Sequence, residues 1–211
     1  MAESSTVTKE KILESAKKEF LDKGFVNASL RTIAANAGLT TGAMYRHFKD
    51  KDALFCALVD EAIDVTTKTV MMADVMTHSQ LSDPVSKEHY QEEQKATLDL
   101  FDYIYAHFDA FTLLLTKAAG STHEHFLEEI CDLYTTNCEK TFAWMYEQKV
   151  FPKKIDTMTV HLIASTVINA FAEIVLHKMK REDAMPFVEN IMEFFRYGTL
   201  HMVGVQCDRN L

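Results

Sequence analysis

The sequence has little glycine and less proline, six and three residues in 211. β-sandwiches and barrels need both at their frequent turns. Val, Ile and Thr rarely alternate with polar residues over a strand-length run, so the chain is expected to be all-α. The cysteines Cys56, Cys131, Cys138 and Cys207 include no CxxC pair, which removes the commonest zinc and thiol-redox arrangements. The N-terminus carries no apolar secretion segment, and no apolar run is expected to approach the ~20 residues of a membrane span. These absences lead to the expectation of a reduced, cytoplasmic protein without membrane contact. Glycine-rich phosphate loops and nucleophile–base arrangements are also missing, so no enzymatic activity and no cofactor are expected. Internal repeats and low-complexity tracts are missing as well.

What is present is unevenly distributed. The formal net charge is −9, which by itself argues against a polyanionic partner, because affinity for phosphate comes from Lys and Arg. Residues 1–52 nevertheless hold nine of the 22 basic residues against seven of the 31 acidic ones. The excess of acid therefore lies entirely downstream, and one end of the chain is suited to meeting an anionic polymer while the other keeps it soluble.

Apolar periodicity predicts eight helices. The first runs from Thr8 to Lys23, with Ile12, Leu13, Ala16, Phe20 and Leu21 on one side and Gly24 as its stop. Ser29 caps a short second helix bearing Leu30, Ile33, Ala34 and Ala37, Gly38 turns the chain, and Thr40 caps a third helix through Phe48. Two short helices around a glycine turn form a helix-turn-helix. Asp50 caps the fourth helix, which reaches about Met76. The stretch His78 to Pro84 has turn chemistry and is read as the one substantial loop. Beyond it the pattern predicts helices over 85–118, 121–149, 156–180 and 183–203. Ser121 with Glu124 forms a capping box for the second of these, and Asp183 caps the last.

The segment Ala37-Gly-Leu-Thr-Thr-Gly-Ala-Met-Tyr-Arg-His-Phe-Lys-Asp-Lys-Asp-Ala-Leu54, preceded by Ile12, Ala16, Phe20, Gly24, Ser29, Ile33 and Ala34, resembles the signature of the tetracycline-repressor (TetR) family of bacterial transcriptional regulators. The resemblance covers about residues 8–58. It implies a three-helix DNA-binding domain over 1–52 and a larger helical ligand-binding and dimerisation domain over 53–211. The physical reading of the residues runs in parallel. A helix entering a major groove about 12 Å wide must be slim at its leading end, and Thr40, Thr41, Gly42 and Ala43 have small side chains. Thr40 and the helix N-terminus suit a phosphate, while Thr41 is placed for a base edge or a phosphate. The resemblance makes Tyr45, His47 and Lys51 phosphate contacts. Arg46 has the fork that reads guanine, and Ser29 and Arg31 at the start of the second helix complete the expected DNA-contacting set. Met44 and Phe48, four apart, are assigned to the core.

For the remainder, the resemblance implies a homodimer on a palindromic double-stranded operator, released by a small, often hydrophobic effector that swings the fourth helix. An activator, or a regulator answering to a protein partner, remains open. Met71, Phe101, Tyr105, Phe108, Phe142, Met145, Tyr146 and Phe171 are the candidate effector-pocket residues. The apolar faces of the last two helices, including Ile163, Val167, Phe171, Ile174, Phe187, Ile191, Phe194, Phe195 and Met202, exceed what one neighbour covers and are the candidate dimer interface. His107, His161 and His177 are read as structural. His123, His125, Glu124, Glu128 and Glu129 crowd together in sequence, but residues two apart on a helix point to different sides, so no metal site is expected.

Overall fold

A computed structural model describes residues 2–79 and 86–206, with side chains placed for 6–71, 86 and 90–206. The loop expected from His78 to Pro84 lies mostly outside the described residues, as does Cys207. Among the described residues there are nine helices and no strand: α1 Ala2–Asn27, α2 Leu30–Asn36, α3 Thr41–Met44, α4 Lys51–Ser79, α5 Lys87–Ala106, α6 Phe108–Thr116, α7 Phe126–Glu147, α8 Thr157–Leu176 and α9 Arg181–Met202.

These helices form two compact units. The first comprises residues 1–64 and 107–126, the second residues 65–106 and 127–211. α4 thus gives its first half to one unit and its second half to the other. This division differs from the expected boundary at residue 52.

The first unit is built on an aromatic cluster. Phe55 meets Phe20 edge-on at 5.2 Å between ring centroids and Phe25 at 5.4 Å, the geometry the ring quadrupole favours. Ile12, Ala16, Ile33, Ala34, Leu54 and Val59 are buried around them. The buried Ser15 hydroxyl donates to the Ile33 carbonyl at 2.9 Å, which ties α1 to α2. α1 leaves helical space at Gly24, at φ 72° and ψ 167°, so the expected stop holds, although the helix starts earlier than Thr8. The chain end it frees is secured by the Phe25 N–H donating to the Lys117 carbonyl at 2.8 Å. Gly120 closes the same turn at φ 85°, and a Cβ there would lie 2.9 Å from a Val26 methyl, so no larger residue fits without movement.

The helix expected over 85–118 is broken at His107, at φ −121° and ψ 33°. Neither Pro nor Gly marks the break. The segment beyond it, α6, buries Phe111, Leu113 and Leu114 and packs on α1 in the first unit. The capping box also takes a different form. Glu124 accepts from the Gly120 N–H at 2.9 Å and Ser121 Oγ from the His123 N–H at 3.1 Å, stabilising a turn, and the helix begins only at Phe126.

Asp52, in the first turn of α4, holds that turn from the other side by accepting the Thr122 N–H at 2.8 Å and the Thr122 hydroxyl. Burial works against its charge, but the bonds from Thr122 and from Cys56 outweigh burial and hold the carboxyl below the ordinary carboxylate range. A depressed folded pKa means that this contribution to stability is present above the unfolded pKa, about 3.9. It is lost as pH falls through the folded value. Asp52→Asn is therefore expected to lower the urea midpoint at pH 7, by an amount that shrinks as the pH falls below the unfolded pKa. A pH-independent difference between wild type and variant would refute the assignment.

In the second unit Met145, Phe151, Leu200 and Val203 form a buried cluster flanked by Phe142, Trp144 and Val150. The Tyr105 hydroxyl donates to the Met179 carbonyl at 2.9 Å, and Arg181 pairs with Asp102 at 2.6 Å. Buried Asn137 donates to the Val70 carbonyl, satisfying an α4 carbonyl within the unit. α8 ends at Leu176 rather than Lys180, and α9 begins at Arg181, so Asp183 lies in the first turn and is not its cap. α8 also corrects the expectation of no long apolar span. Its 20 residues are apolar enough to cross a membrane by length and composition, and 33% of that window is buried.

Candidate nucleic-acid interface

α2 and α3 are too short to be stable alone, and their ends are fixed by side chains. Ser29 Oγ accepts from the Thr32 N–H at 3.3 Å, and its own N–H donates to Glu19 at 3.1 Å. After α2 the Leu39 N–H returns to the Ala34 carbonyl at 2.9 Å, with Gly38 at φ 74° making the reversal. Thr40 Oγ1 then accepts from the Ala43 N–H at 3.2 Å. Asp50 Oδ1 accepts from the Ala53 N–H at 2.7 Å and starts α4.

α3 is shorter than the expected helix to Phe48. Only Thr41–Met44 are helical, and Tyr45 to His47 continue as turn, with the Phe48 N–H still bonded to the Met44 carbonyl. The facing of the side chains is nonetheless as the four-residue spacing requires. Met44 and Phe48 are 1% and 6% exposed. Thr40, Gly42, Tyr45 and Arg46 are exposed, and Thr41, Ala43 and His47 are half-buried. One side of this short segment therefore grips the core, and the other presents small groups followed by a phenol, a guanidinium and an imidazole. Arg31 is exposed two residues beyond the Ser29 cap.

Lys51 has a use that its position in the sequence does not reveal. Its Nζ donates to the Val26 carbonyl at 3.0 Å and to the Ala28 carbonyl at 3.4 Å, 4.8 Å from the centre of the Phe25 ring. It thus closes the chain end that α1 leaves open. An ammonium has three donors, so one remains for a phosphate. Lys51→Ala is expected to cost about 1 kcal/mol of stability and, in addition, to lower DNA affinity roughly tenfold and the salt slope by about one. Denaturant melts and binding at two salt concentrations separate the two effects, and an unchanged slope would remove Lys51 from the contact set.

Two further cations were not predicted. Lys9 stands 5.7 Å from the centre of the Phe48 ring, which brings the beginning of α1 to the end of the α3 segment. Their separation of 39 positions in the sequence hides this from any local pattern. Lys49 is exposed beside Asp50.

The candidate effector residues are not gathered together. Phe142 and Met145 belong to the buried cluster with Phe151, Leu200 and Val203. Phe101 is fully buried and packs on Tyr105 at 4.8 Å. Met71 and Tyr146 are 53% and 42% exposed, Phe171 is half-buried, and Phe108 falls in the first unit. Among the candidate interface residues, Ile174 is fully buried within its own unit and has no surface to offer a partner. The others keep surface, above all Phe194 at 69% and Met202 at 41%, and α8 adds Met158 at 73% and Leu162 at 65%. His177 pairs with Glu173 on its own helix at 2.7 Å, and His161 faces Thr135. Burial, with the charge of Asp132, raises the Cys131 thiol above its ordinary value.

Residues 12–58 match the family model described as bacterial regulatory proteins, tetR family. The repressor BepR of Brucella suis is 42% identical over 55 residues, 26% of each chain. The repressor AcnR of Corynebacterium diphtheriae is 29% identical over 85 residues, 37% of this chain and 45% of that one. The chain thus spans between a quarter and a half of the length of these curated relatives. Among solved structures, NalD of Pseudomonas aeruginosa, described as the secondary repressor of the MexAB-OprM multidrug efflux pump, superimposes with a TM-score of 0.60 at 22% identity. It covers 90% of this chain and 96% of its own, so the likeness there is one of fold.

Proposed function

From an N-terminal module that is tetR-family in sequence and a whole chain with the fold of tetR-family regulators, we propose that this protein is a sequence-specific DNA-binding transcriptional regulator. It works as a homodimeric repressor on a palindromic operator. The observation that carries the reading is the two-sided α3 segment, in which Met44 and Phe48 are buried while Thr40, Gly42, Tyr45 and Arg46 are exposed. Residues 1–52 are the DNA-binding part, with Ser29, Arg31, Thr40, Thr41, Tyr45, His47 and Lys51 on phosphates or base edges, Arg46 on guanine, and Gly42 and Ala43 allowing close approach. Residues 53–211 sense and pair.

Pairing uses α8 and α9. They expose Met158, Leu162, Phe194 and Met202, large apolar side chains that a partner would cover. A depression of about 400 Å³ on α9, lined by Asn190, Glu193, Phe194, Tyr197 and Gly198, gives a partner helix room to approach. A two-fold pair reads half-sites about 34–36 Å apart, one helical turn. The effector is small and apolar and acts in the second unit. It works by favouring one of two states of α4, the helix both units share. Selection of duplexes from a random pool by the purified protein at two salt concentrations tests the reading. A palindrome enriched with salt-sensitive affinity supports it, and no enrichment even at low salt overturns it.

A further inference from the structure

Outside the α3 face, one group of side chains combines metal-ligating chemistry with short mutual distances. Cys56 and Asp60 stand four apart on α4, and His123 comes from the turn that precedes α7, within the same unit. Their ligating atoms all lie within 4.8 Å of one another. The His123 Nε2 is 3.4 Å from Cys56 Sγ and 3.3 Å from Asp60 Oδ1. A tetrahedral ion with a metal–sulfur bond of about 2.3 Å and metal–nitrogen and metal–oxygen bonds of about 2.0–2.1 Å separates sulfur from nitrogen by about 3.5 Å and nitrogen from oxygen by about 3.3 Å. The two measured edges are close to these values before any ligand moves.

We propose that Cys56, Asp60 and His123 form a binding site for a divalent transition-metal ion of borderline softness, zinc or its like, with solvent in the fourth position. The sulfur–nitrogen–oxygen donor set selects such ions over magnesium or calcium, which take oxygen alone. The His123 ring is well sheltered, its side chain 19% exposed, and the Asp60 side chain is 64% exposed, so the site opens to solvent on the carboxylate side. The structure around it holds the ligands in place. Ser121 Oγ accepts the His123 N–H, and Asp52 accepts from Thr122, the neighbouring residue. An ion here fastens the 121–125 turn to α4 by a bond from each side.

The competing use of the same residues is a nucleophilic thiol activated by histidine, and the geometry is wrong for it. Thiol and carboxylate both face the same ring nitrogen, so the carboxylate does not orient the imidazole from behind. Burial, with the charges of Asp52 and Asp60, also pushes the Cys56 thiol up to about 11, the opposite of what a nucleophile needs.

The site stands whether or not the N-terminal module binds DNA, and its test is spectroscopic. The full chain, stripped with a chelator and kept reduced, is titrated with Co²⁺. The expected result is one equivalent bound, with visible bands of tetrahedral cobalt and a near-ultraviolet thiolate-to-cobalt transition, both displaced by Zn²⁺. Cys56→Ser is expected to lose the thiolate transition, and His123→Gln and Asp60→Asn each to weaken binding at least tenfold. A variant with Cys131, Cys138 and Cys207 all changed to Ser keeps Cys56 as the sole thiol and must retain the spectrum, which preserves the test if a ligand variant does not fold. Absence of the thiolate transition from the wild type, its survival in Cys56→Ser, its loss from the sole-thiol variant, or undiminished affinity in both other ligand variants overturns the proposal.

Discussion

Gly42→Leu is expected to leave the protein folded and to abolish its recognition of DNA. Gly42 lies within α3, is exposed, and has no atom within 4 Å of the position a Cβ would take. A Cβ there meets open space, and in a helix leucine gains about 1 kcal/mol of propensity over glycine. Toward a base-pair edge the same side chain acts as a spacer of several ångströms at the leading end of the segment. Base contacts are worth about 1–3 kcal/mol each, and losing two of them lowers affinity by about a hundredfold or more at 1.4 kcal/mol per tenfold. The non-specific, salt-dependent part should fall far less. Binding of the selected operator and of random duplex by wild type and variant, with the melting temperature measured in parallel, checks this. A variant that melts as wild type and binds the operator equally well would mean that α3 does not enter a groove.

Phe194→Asp should have the second large effect, on assembly. Phe194 is 69% exposed and touches Phe195 edge-on at 5.4 Å, so the unit itself loses little when the ring is removed. If α9 is covered by a second copy, a carboxylate at this position is buried unpaired against its own symmetry mate, at a cost of several kcal/mol. The dimer dissociation constant is then expected to rise a hundredfold or more, and operator binding to become weak, because one module holds only a half-site. Sedimentation over a concentration series measures the first and titration with full and half operators the second. An unchanged dimer would move the pairing surface away from α9.

Much of the segment from α2 to the start of α4 was legible because its determinants are local. Cap, turn glycine and buried stripe lie within a few residues of one another, so Ser29, Gly38, Thr40, Met44 and Phe48 could be placed from spacing alone. The structural partners of Lys51 and Lys9 were not foreseen because they are distant in sequence. The Val26 carbonyl is 25 residues from Lys51, and Phe48 is 39 from Lys9. The break at His107 carries no helix-stopping residue and is enforced by packing, since Phe111, Leu113 and Leu114 are buried in the first unit. His123 illustrates the same limit. Read within its own segment it faced no ligand, and its neighbours Cys56 and Asp60 are brought to it only by the fold. Which aromatic residues line a pocket is not legible for a simpler reason. Aromatic spacing identifies a buried face but does not distinguish a ring that packs on other rings, as Phe142 does on Phe151 at 5.7 Å, from one that lines a space.

The first unit is assembled from two stretches of chain, and this affects how it is made. When residue 64 has been synthesised, α1, α2 and α3 are present, but the helix that buries Phe111, Leu113 and Leu114 against α1, and the carbonyl that receives the Phe25 N–H, are still to come. The ribosome must add residues 65–106, which belong to the other unit, before α6 can be made. A nascent or truncated chain ending near residue 64 therefore exposes an unfinished apolar surface, the condition that invites aggregation. The unit that contains α2 and α3 reaches its final form only after part of the second unit has been translated.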